Sequence, residues 1–316
     1  MKLFPLLMVF AIPFSQPSAA PAQERPPGTP FAARRERPLP PGVKAIRDVE
    51  YVPGGGRSRS LDIYLPKKVD APLPLIVWIH GGGWSGGSKE SNRALSLMRA
   101  GFATASINYR LSGEAIFPAQ IEDCKAAIRF LRGRAREFGI DPDQIGVFGS
   151  SAGGHLVALL GTSGDIKELE GADASVSSRV QAVCDWFGPT DLGKMGAQSA
   201  PGSRIDHDAP NSPESRLLGG PVQSKLDAAK VANPITYVSR DDPPFLIMHG
   251  DSDPVVPLAQ SEMLHAALKT TGVESTLHII PGGGHGRPGF DTPEVEMMIR
   301  DFFARHLRAK AATSTP

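Results

Sequence analysis

Residues 145–160 read Ile-Gly-Val-Phe-Gly-Ser-Ser-Ala-Gly-Gly-His-Leu-Val-Ala-Leu-Leu. No other stretch of the chain indicates more about its fold. The apolar residues 145–148 are typical of a short buried strand. Residues 152–160 carry the small and apolar side chains of a packed helix. The stretch therefore predicts a strand that passes through a tight turn directly into a helix.

The turn itself has the pattern Gly-x-Ser-x-Gly, with Ser151 at its centre. A turn this tight leaves no room for side chains two positions before and after the central residue, which explains Gly149 and Gly153. The first turn of the helix also brings backbone N–H dipoles close to Ser151. The pattern predicts that Ser151 is an exposed nucleophile at the end of a strand.

A second glycine-rich segment, His80-Gly81-Gly82-Gly83-Trp84, follows the apolar run 74–79. Its glycines leave backbone N–H groups without side-chain cover, so these groups can bind a developing oxyanion. Phosphate binding is the alternative, but neither the Lys-Ser/Thr pair of a P-loop nor a Gly-x-Gly-x-x-Gly pattern is present here. We interpret the segment as an oxyanion-binding loop.

A serine nucleophile needs a base, and the chain has eight histidines. We expect His80 to brace the glycine loop and His155 to pack behind the nucleophile. His285 lies in the glycine-rich loop 281–286, directly after the last predicted strand. The sequence therefore predicts His285 as the base.

An acid must orient the imidazole of the base. Asp253, in the segment 249–257 that follows the penultimate predicted strand, is the first choice. Asp251 in the same segment is the first alternative. Asp185, at the end of an earlier strand, is the second alternative, although a carboxylate there is more simply explained by bonds to its own loop.

Short apolar runs recur along the chain between helical patterns, which predicts an α/β fold with a mostly parallel, twisted sheet and helices on both faces. Around Pro53-Gly54-Gly55-Gly56, residues 46–52 and 60–65 predict an antiparallel N-terminal hairpin. The expected buried strands are 74–79, 102–107, 145–149, 180–186, 244–249 and 276–280. Residues 187–235 break this rhythm, and we expect a short insertion or small cap after the sixth strand.

The beginning of the chain indicates export. Lys2 precedes an apolar run, Leu3–Phe14, that is too short to span a bilayer, and Ala20-Pro21-Ala22 offers a cleavage site. We expect a signal peptide at 1–22, a proline-rich linker at 23–45 and the catalytic domain at 46–310. The mature protein is then secreted or periplasmic, without a stable membrane anchor.

The composition excludes several classes of partner and site. With 34 basic and 33 acidic residues, the net charge of +1 provides no electrostatic surface for nucleic acid. Two cysteines, Cys124 and Cys184, rule out a disulfide-dense scaffold and a Cys-x-x-Cys metal site. Their pairing and the oligomeric state stay open. The predicted chemistry requires no metal and no organic cofactor.

Taken together, these motifs resemble the α/β-hydrolase superfamily. Within it, they are similar to the His-Gly-Gly-Gly esterases around hormone-sensitive lipase and to bacterial feruloyl and acetyl-xylan esterases. The resemblance extends over residues 46–308 and rests on segments 80–84, 108–111, 149–153, 184–192, 249–257 and 284–286. The order Ser151, Asp253, His285 is that of α/β-hydrolases. Residues 21–45 are proline-rich and differ from the helical cap of lipase-type members, which favours the open-cleft polysaccharide esterases.

The resemblance implies a Ser151-Asp253-His285 triad on an α/β-hydrolase fold. It also implies an oxyanion hole formed by the N–H groups of Gly82, Gly83 and Ala152. The implied reaction is hydrolysis of short-chain or carbohydrate-linked acyl esters, such as acetyl or feruloyl esters, through an acyl-enzyme. Trp84 and Trp186 are candidate substrate-binding residues, with core packing as the alternative.

Two other activities use the same fold and order of residues. A prolyl-oligopeptidase-like peptidase is disfavoured by the His-Gly-Gly-Gly-Trp loop and by the absence of a propeller. A kynurenine-formamidase-like amidase is disfavoured by the export signal and by the insertion at 187–235. A non-catalytic adhesion module is disfavoured because all three triad residue types are present.

Overall fold

A computed structural model describes Leu39 and residues 41–68, 71–164, 166–172 and 175–307. Contacts divide the chain into Met1–Pro38 and Leu39–Pro316, and the described residues all belong to the second unit. The predicted signal peptide, 1–22, therefore lies outside the described residues, as does most of the predicted linker. The first strand begins at Val43, so the domain boundary predicted at residue 46 falls inside this strand.

The centre of the molecule is an eight-stranded sheet in the order β1-β2-β4-β3-β5-β6-β7-β8. Its strands are β1 (Val43–Glu50), β2 (Ser60–Pro66), β3 (Leu73–Ile79), β4 (Ala103–Ile107), β5 (Ile140–Ser150), β6 (Ala182–Trp186), β7 (Phe245–Gly250) and β8 (Ser275–Ile280). β1 pairs antiparallel with β2, and β2 antiparallel with β4, whereas all other neighbours are parallel. This confirms the prediction of a mostly parallel sheet with an N-terminal antiparallel hairpin.

The helices are α1 (Ala119–Gly133), α2 (Ala135–Phe138), α3 (Ala152–Thr162), α4 (Met195–Gln198), α5 (Pro213–Leu218), α6 (Leu226–Ala232), α7 (Leu258–Thr271) and α8 (Pro293–His306). One hydrophobic cluster joins α1, α3 and α7 to the sheet. A second cluster joins α8 and the 3-10 helix Ala94–Ala100 to the opposite face. The sheet is thus covered on both sides, which explains why its central strands are continuously apolar.

Successive residues of each strand point to opposite faces of the sheet. In β3, Val77 and Ile79 belong to the first cluster and Trp78 to the second. The same separation applies to the two cysteines. Cys124 lies in the first cluster and Cys184 in the second, and both are free, buried thiols. The open question about their pairing is therefore answered: they form no disulfide.

The Asp141-Pro142 pair predicts an interruption of regular structure just before the strand at 145, but β5 already begins at Ile140. Ile140 pairs with Leu73, and regular pairing resumes where Ile145 meets Leu75. The register shift between these pairs leaves Pro142 in an irregular part of the strand. Proline is tolerated at such a bulge because it has no N–H to contribute to the ladder.

β3, β5, β7 and β8 run parallel, so their carboxyl ends meet at one edge of the sheet. The glycine loop at 80–84, Ser151 and the loops at 251–257 and 281–289 all follow these ends. The insertion at 187–235 contributes α4, α5 and α6. No helix in the described part of the chain is long and apolar enough to cross a membrane.

Candidate active site

Ser151 occupies the turn between β5 and α3 with φ +56° and ψ −123°. A side-chain-bearing residue pays about 1–3 kcal/mol for such backbone geometry, so neighbouring bonds must enforce it. The N–H of Ser151 donates to the Trp186 carbonyl at 2.8 Å, and its carbonyl accepts the His155 N–H at 2.9 Å. These bonds hold the turn between β6 and the first turn of α3.

The glycines around Ser151 are required by close backbone contacts. A Cβ atom on Gly149 would lie 2.3 Å from the carbonyl oxygen of Gly153, and one on Gly153 would lie 2.1 Å from that of Ile79. Gly154 is constrained in the same way, since its Cβ would lie 2.3 Å from a carboxylate oxygen of Asp185. The turn pattern explains the first two glycines, and the structure adds the third.

His285 and Asp253 are in direct contact, with 2.7 Å between Nδ1 of the imidazole and Oδ2 of the carboxylate. The other oxygen of Asp253 accepts the N–H groups of Val255 at 2.7 Å and Val256 at 3.0 Å. Nε2 of His249 lies 3.4 Å from Oδ2. Burial raises the pKa of Asp253, but hydrogen bonds from His249 and His285 outweigh this effect and hold the pKa well below its usual range.

Because Asp253 is ionised and can only accept, Nδ1 of His285 must carry a hydrogen, and this N–H donates a hydrogen bond to the carboxylate. This tautomer is assigned from the hydrogen-bond partners. It leaves Nε2 of the neutral ring with its lone pair free, which is the state that a general base needs.

In the part of the chain that the structure describes, neither of the two alternative acids, Asp251 and Asp185, contacts His285. Asp251 is exposed and accepts the N–H of Gly282 at 2.7 Å, so it braces the loop after β8. Asp185 is fully buried and accepts the N–H of Gly188 at 2.9 Å. Burial raises the pKa of Asp185 to about 7. Asp251 thus bonds to the loop that follows β8, and Asp185 to the loop that follows its own strand, as the simpler interpretation of Asp185 predicts.

The glycine loop is braced by an aromatic pair. The ring of His80 stacks on Tyr109, with 4.4 Å between ring centroids, and the Tyr109 hydroxyl donates to the His80 carbonyl at 3.0 Å. Nδ1 of His80 donates to the carbonyl of Gly81 at 2.8 Å. Burial lowers the pKa of His80 to about 4, so the ring is neutral at pH 7.

Three backbone N–H groups near Ser151 are available to a ligand. Gly82 and Gly83 have φ angles of +117° and +58°, which turn this loop away from strand geometry. Ala152 is the first residue of α3, and N–H groups in the first turn of a helix have no partner inside it. Within the described ranges, no hydrogen bond occupies the N–H of Gly82, Gly83 or Ala152.

A cavity of about 570 Å³ brings these groups together. Its wall includes Ser151, His285, Gly82, Gly83 and Ala152. A serine hydroxyl, an imidazole with a free lone pair and unoccupied N–H donors on one cavity are the kinds of group that acyl transfer requires.

Trp84 and Trp186 line the same cavity, yet they are only 1% and 4% exposed. The indole N–H of Trp84 donates to Nδ1 of His155 at 3.2 Å, and Nε2–H of His155 donates to the Ala232 carbonyl at 2.7 Å. The ring of Trp186 packs edge-on against Phe148 in the second cluster. The two tryptophans are therefore core residues and cavity wall at once.

Phe187 also belongs to the site, although no sequence motif predicts it. Its ring lies 4.4 Å from that of His285, and it lines the cavity. The signal that could have found it is its position directly after β6, next to Trp186. The insertion adds Ile205, His207, Pro213 and Glu214 to the cavity wall, and no motif in the irregular sequence there identifies them.

A family model and relatives of known name match the chain in sequence. The BD-FAE family matches residues 61–268. Esterase LipQ of Mycobacterium tuberculosis is 34% identical over 246 residues, which are 75% of this chain and 56% of LipQ. The probable carboxylic ester hydrolase LipM of the same organism is 31% identical over 65% of this chain and 48% of LipM. The chain thus spans about half the length of these relatives.

Several solved structures resemble the chain over most of their length. A truncated carbohydrate esterase from gut microbiota has a TM-score of 0.77 and 38% identity, and the match covers 83% of this chain and 96% of that one. These similarities and the sheet topology confirm the predicted α/β-hydrolase fold. The family match extends over most of the chain, and the chain therefore belongs to the BD-FAE family.

Proposed function

We propose that this protein hydrolyses carboxylic esters, with Ser151 as nucleophile, His285 as general base and Asp253 as the acid that orients it. The observation that carries the proposal is the 2.7 Å contact between His285 and an ionised Asp253, on the cavity that Ser151 also lines. The names of the relatives support ester rather than amide or peptide bonds as the target.

In the first half of the reaction, Oγ of Ser151 attacks the ester carbonyl carbon while Nε2 of His285 takes the hydroxyl proton. The N–H groups of Gly82, Gly83 and Ala152 donate to the oxyanion that forms. When the carbon–oxygen bond breaks, the proton on His285 passes to the departing alkoxide. Asp253 stays ionised and stabilises the imidazolium.

In the second half, His285 takes a proton from water as the water attacks the acyl-enzyme. The tetrahedral intermediate again places its negative charge at the same N–H groups. Its collapse returns the proton to Oγ of Ser151 and releases the carboxylic acid. The cycle uses side chains and backbone groups of this chain throughout.

The proposed substrates are short-chain or carbohydrate-linked acyl esters, such as acetyl or feruloyl esters. Buried Trp84, Trp186 and Phe187 wall the cavity and offer an aromatic surface to the acyl group. Carbohydrate esters are supported by the names of two similar structures, the gut carbohydrate esterase and an acetyl ester-xyloside bifunctional hydrolase from Caldicellulosiruptor lactoaceticus. The latter has 28% identity and a TM-score of 0.66, over 84% of this chain and 97% of that one.

We also propose that the protein is exported and acts outside the cytoplasm. The support is the sequence alone: Lys2, the apolar run Leu3–Phe14 and the Ala20-Pro21-Ala22 pattern. Determination of the N-terminal residue of the protein recovered outside the cytoplasm tests this. Gln23 at that position supports the proposal, and an intact Met1 in cytoplasmic protein contradicts it.

The activity is tested with p-nitrophenyl acetate, butyrate and octanoate, a feruloyl ester, acetylated xylan and an N-formyl amide. We expect hydrolysis of the esters and none of the amide. Ser151→Ala should remove the activity, while Ser150→Ala is the matched control in the adjacent residue and should keep most of it. Equal rates in wild type and Ser151→Ala on every ester would contradict the proposal.

A further inference from the structure

The loop that carries Asp253 is held from two sides by buried histidines. On the side of the core, Nε2 of His249 lies 2.9 Å from the carbonyl oxygen of Val256. On the side of the insertion, Nε2 of His207 lies 2.9 Å from the carbonyl oxygen of Val255. The His249 contact comes from the strand that leads into the loop, whereas the His207 contact comes from a distant part of the chain.

The peptide group between Val255 and Val256 links His207 to the acid. Its carbonyl accepts from His207, and its N–H, which belongs to Val256, donates to Oδ1 of Asp253 at 3.0 Å. The orientation of this peptide group therefore depends on His207. Asp253 in turn contacts His285 through its other oxygen.

Both ring nitrogens of His207 face acceptors. Nδ1 lies 2.9 Å from Oε1 of Glu214, and Nε2 faces the Val255 carbonyl. A neutral imidazole has only one N–H, so it cannot donate to both. The pair therefore holds one proton more than a neutral histidine and a carboxylate, and that proton lies between Nδ1 of His207 and Oε1 of Glu214.

This pair is enclosed by protein. The side chains of His207 and Glu214 are 1% and 3% exposed, and both residues line the cavity. Burial disfavours the charged ring, but the hydrogen bond and charge of Glu214 outweigh it and raise the pKa of His207. The charge of Asp208, the residue after His207, acts in the same direction. Breaking such a pair by removing one partner is costly, because the other charge is left buried.

We propose that His207, held by Glu214, is a positioning residue for Asp253 and acts through the Val255–Val256 peptide group. The proposal rests on the proposed function, since it presumes that Asp253 orients the base. It makes the insertion at 187–235 part of the catalytic machinery. It also makes activity depend on the second proton of His207: once that proton is lost at alkaline pH, the ring can donate to Glu214 or to Val255, but not to both.

The experiment measures the rate at which a fluorophosphonate labels Ser151, from pH 6 to 10, together with kcat and KM for p-nitrophenyl acetate. Labelling reports the activation of the nucleophile whatever the natural substrate is. Wild type should lose reactivity at the alkaline end. His207→Leu should lower the labelling rate and kcat by about 10-fold to 100-fold, since misplacement of a supporting group costs about that much.

Glu214→Gln is the decisive variant. Its amide N–H can donate to Nδ1 of a neutral His207, whose Nε2–H still donates to Val255. We expect labelling within about 3-fold of wild type at pH 7, with the alkaline loss abolished. His265→Leu is the matched control, because His265 lies on α7 outside the cavity wall and contacts Ser275. This control should keep the wild-type rate and pH profile.

Three results would overturn the inference: a folded His207→Leu with the wild-type rate and profile, a Glu214→Gln that keeps the alkaline loss, or a Glu214→Gln that loses most of its reactivity at pH 7. If His207→Leu does not fold, Glu214→Gln alone decides. Failure of the proposed function has a different signature, because wild type itself would then resist labelling and leave every ester intact.

Discussion

Gly153 packs directly against the end of β3: a Cβ atom on Gly153 would lie 2.1 Å from the carbonyl oxygen of Ile79. Ile79 is the last residue of its strand and precedes the glycine loop, whereas Gly153 belongs to the first turn of α3. This contact limits how far apart the turn that carries Ser151 and the loop that offers N–H donors can lie. A side chain at position 153 would displace one of them from the other.

Gly153→Ala should therefore destabilise the fold by more than about 3 kcal/mol, since neither backbone can move without disturbing the sheet. Gly133→Ala is the matched control at the end of α1, where a Cβ meets nothing within 4 Å. Alanine there should be neutral or stabilising by up to about 1 kcal/mol. Urea unfolding of the two variants measures the difference, and equal stabilities would refute the packing argument.

Asp253→Asn should lower kcat by about 10³–10⁴ while the protein stays folded. The amide oxygen can still accept from Val255 and Val256, but the amide nitrogen cannot accept from Nδ1 of His285. The imidazole then favours the tautomer with the proton on Nε2, which cannot act as a base. Steady-state kinetics on a p-nitrophenyl ester give the value.

Asp251→Asn provides the comparison for that variant. Its amide oxygen can still accept the N–H of Gly282, and its side chain does not contact His285 among the described residues. We expect kcat within about 3-fold of wild type, as for most surface substitutions. A greater loss in Asp251→Asn than in Asp253→Asn would reverse the assignment of the acid.

His155 should make stability depend on pH. Its Nδ1 accepts from the Trp84 indole, so a proton can be added only by breaking that bond, and burial lowers the pKa of His155 from 6.5 to about 4. Between these values the unfolded chain binds the proton and the folded protein does not. The contribution of His155 to the free energy of unfolding is thus complete above pH 6.5 and is lost as the pH falls towards 4.

Asp185 titrates over the same pH range with the opposite effect on stability, so the pH dependence of wild type alone does not give the contribution of His155. The difference in stability between wild type and His155→Gln isolates that contribution. Wild type should exceed the variant in stability at pH 7, and the gap should shrink by on the order of 3 kcal/mol by pH 4. Urea unfolding at both pH values measures the gap. A gap that stays constant would contradict a neutral, buried His155.

Much of the fold follows from local patterns. Six of the eight strands are marked by apolar runs, and the first two by the hairpin around residues 53–56. The order of the motifs places Ser151, Asp253 and His285 after strands that share one sheet edge. The strand boundaries are harder to predict. β1 begins at Val43 and β5 at Ile140, because pairing with a neighbouring strand extends each strand beyond the residues that its sequence pattern indicates.

The supporting residues of the site could not be predicted in the same way. His207 contacts Glu214 and Val255, residues that only the folded insertion brings together. The segment 187–235 has no periodicity that would orient its side chains, and a lone histidine there has no distinguishing neighbour in sequence. Phe187 contacts His285 from a backbone turn at φ +42°, which no propensity indicates.

The most direct test of the account is to trap the acyl-enzyme. The enzyme is mixed with excess p-nitrophenyl acetate, quenched in acid during turnover, digested and mapped by mass spectrometry. We predict one acetyl group on Ser151, none on the adjacent Ser150, and none anywhere in Ser151→Ala. Ester turnover without an acetyl group on Ser151, or with one on Ser150 instead, would contradict the account.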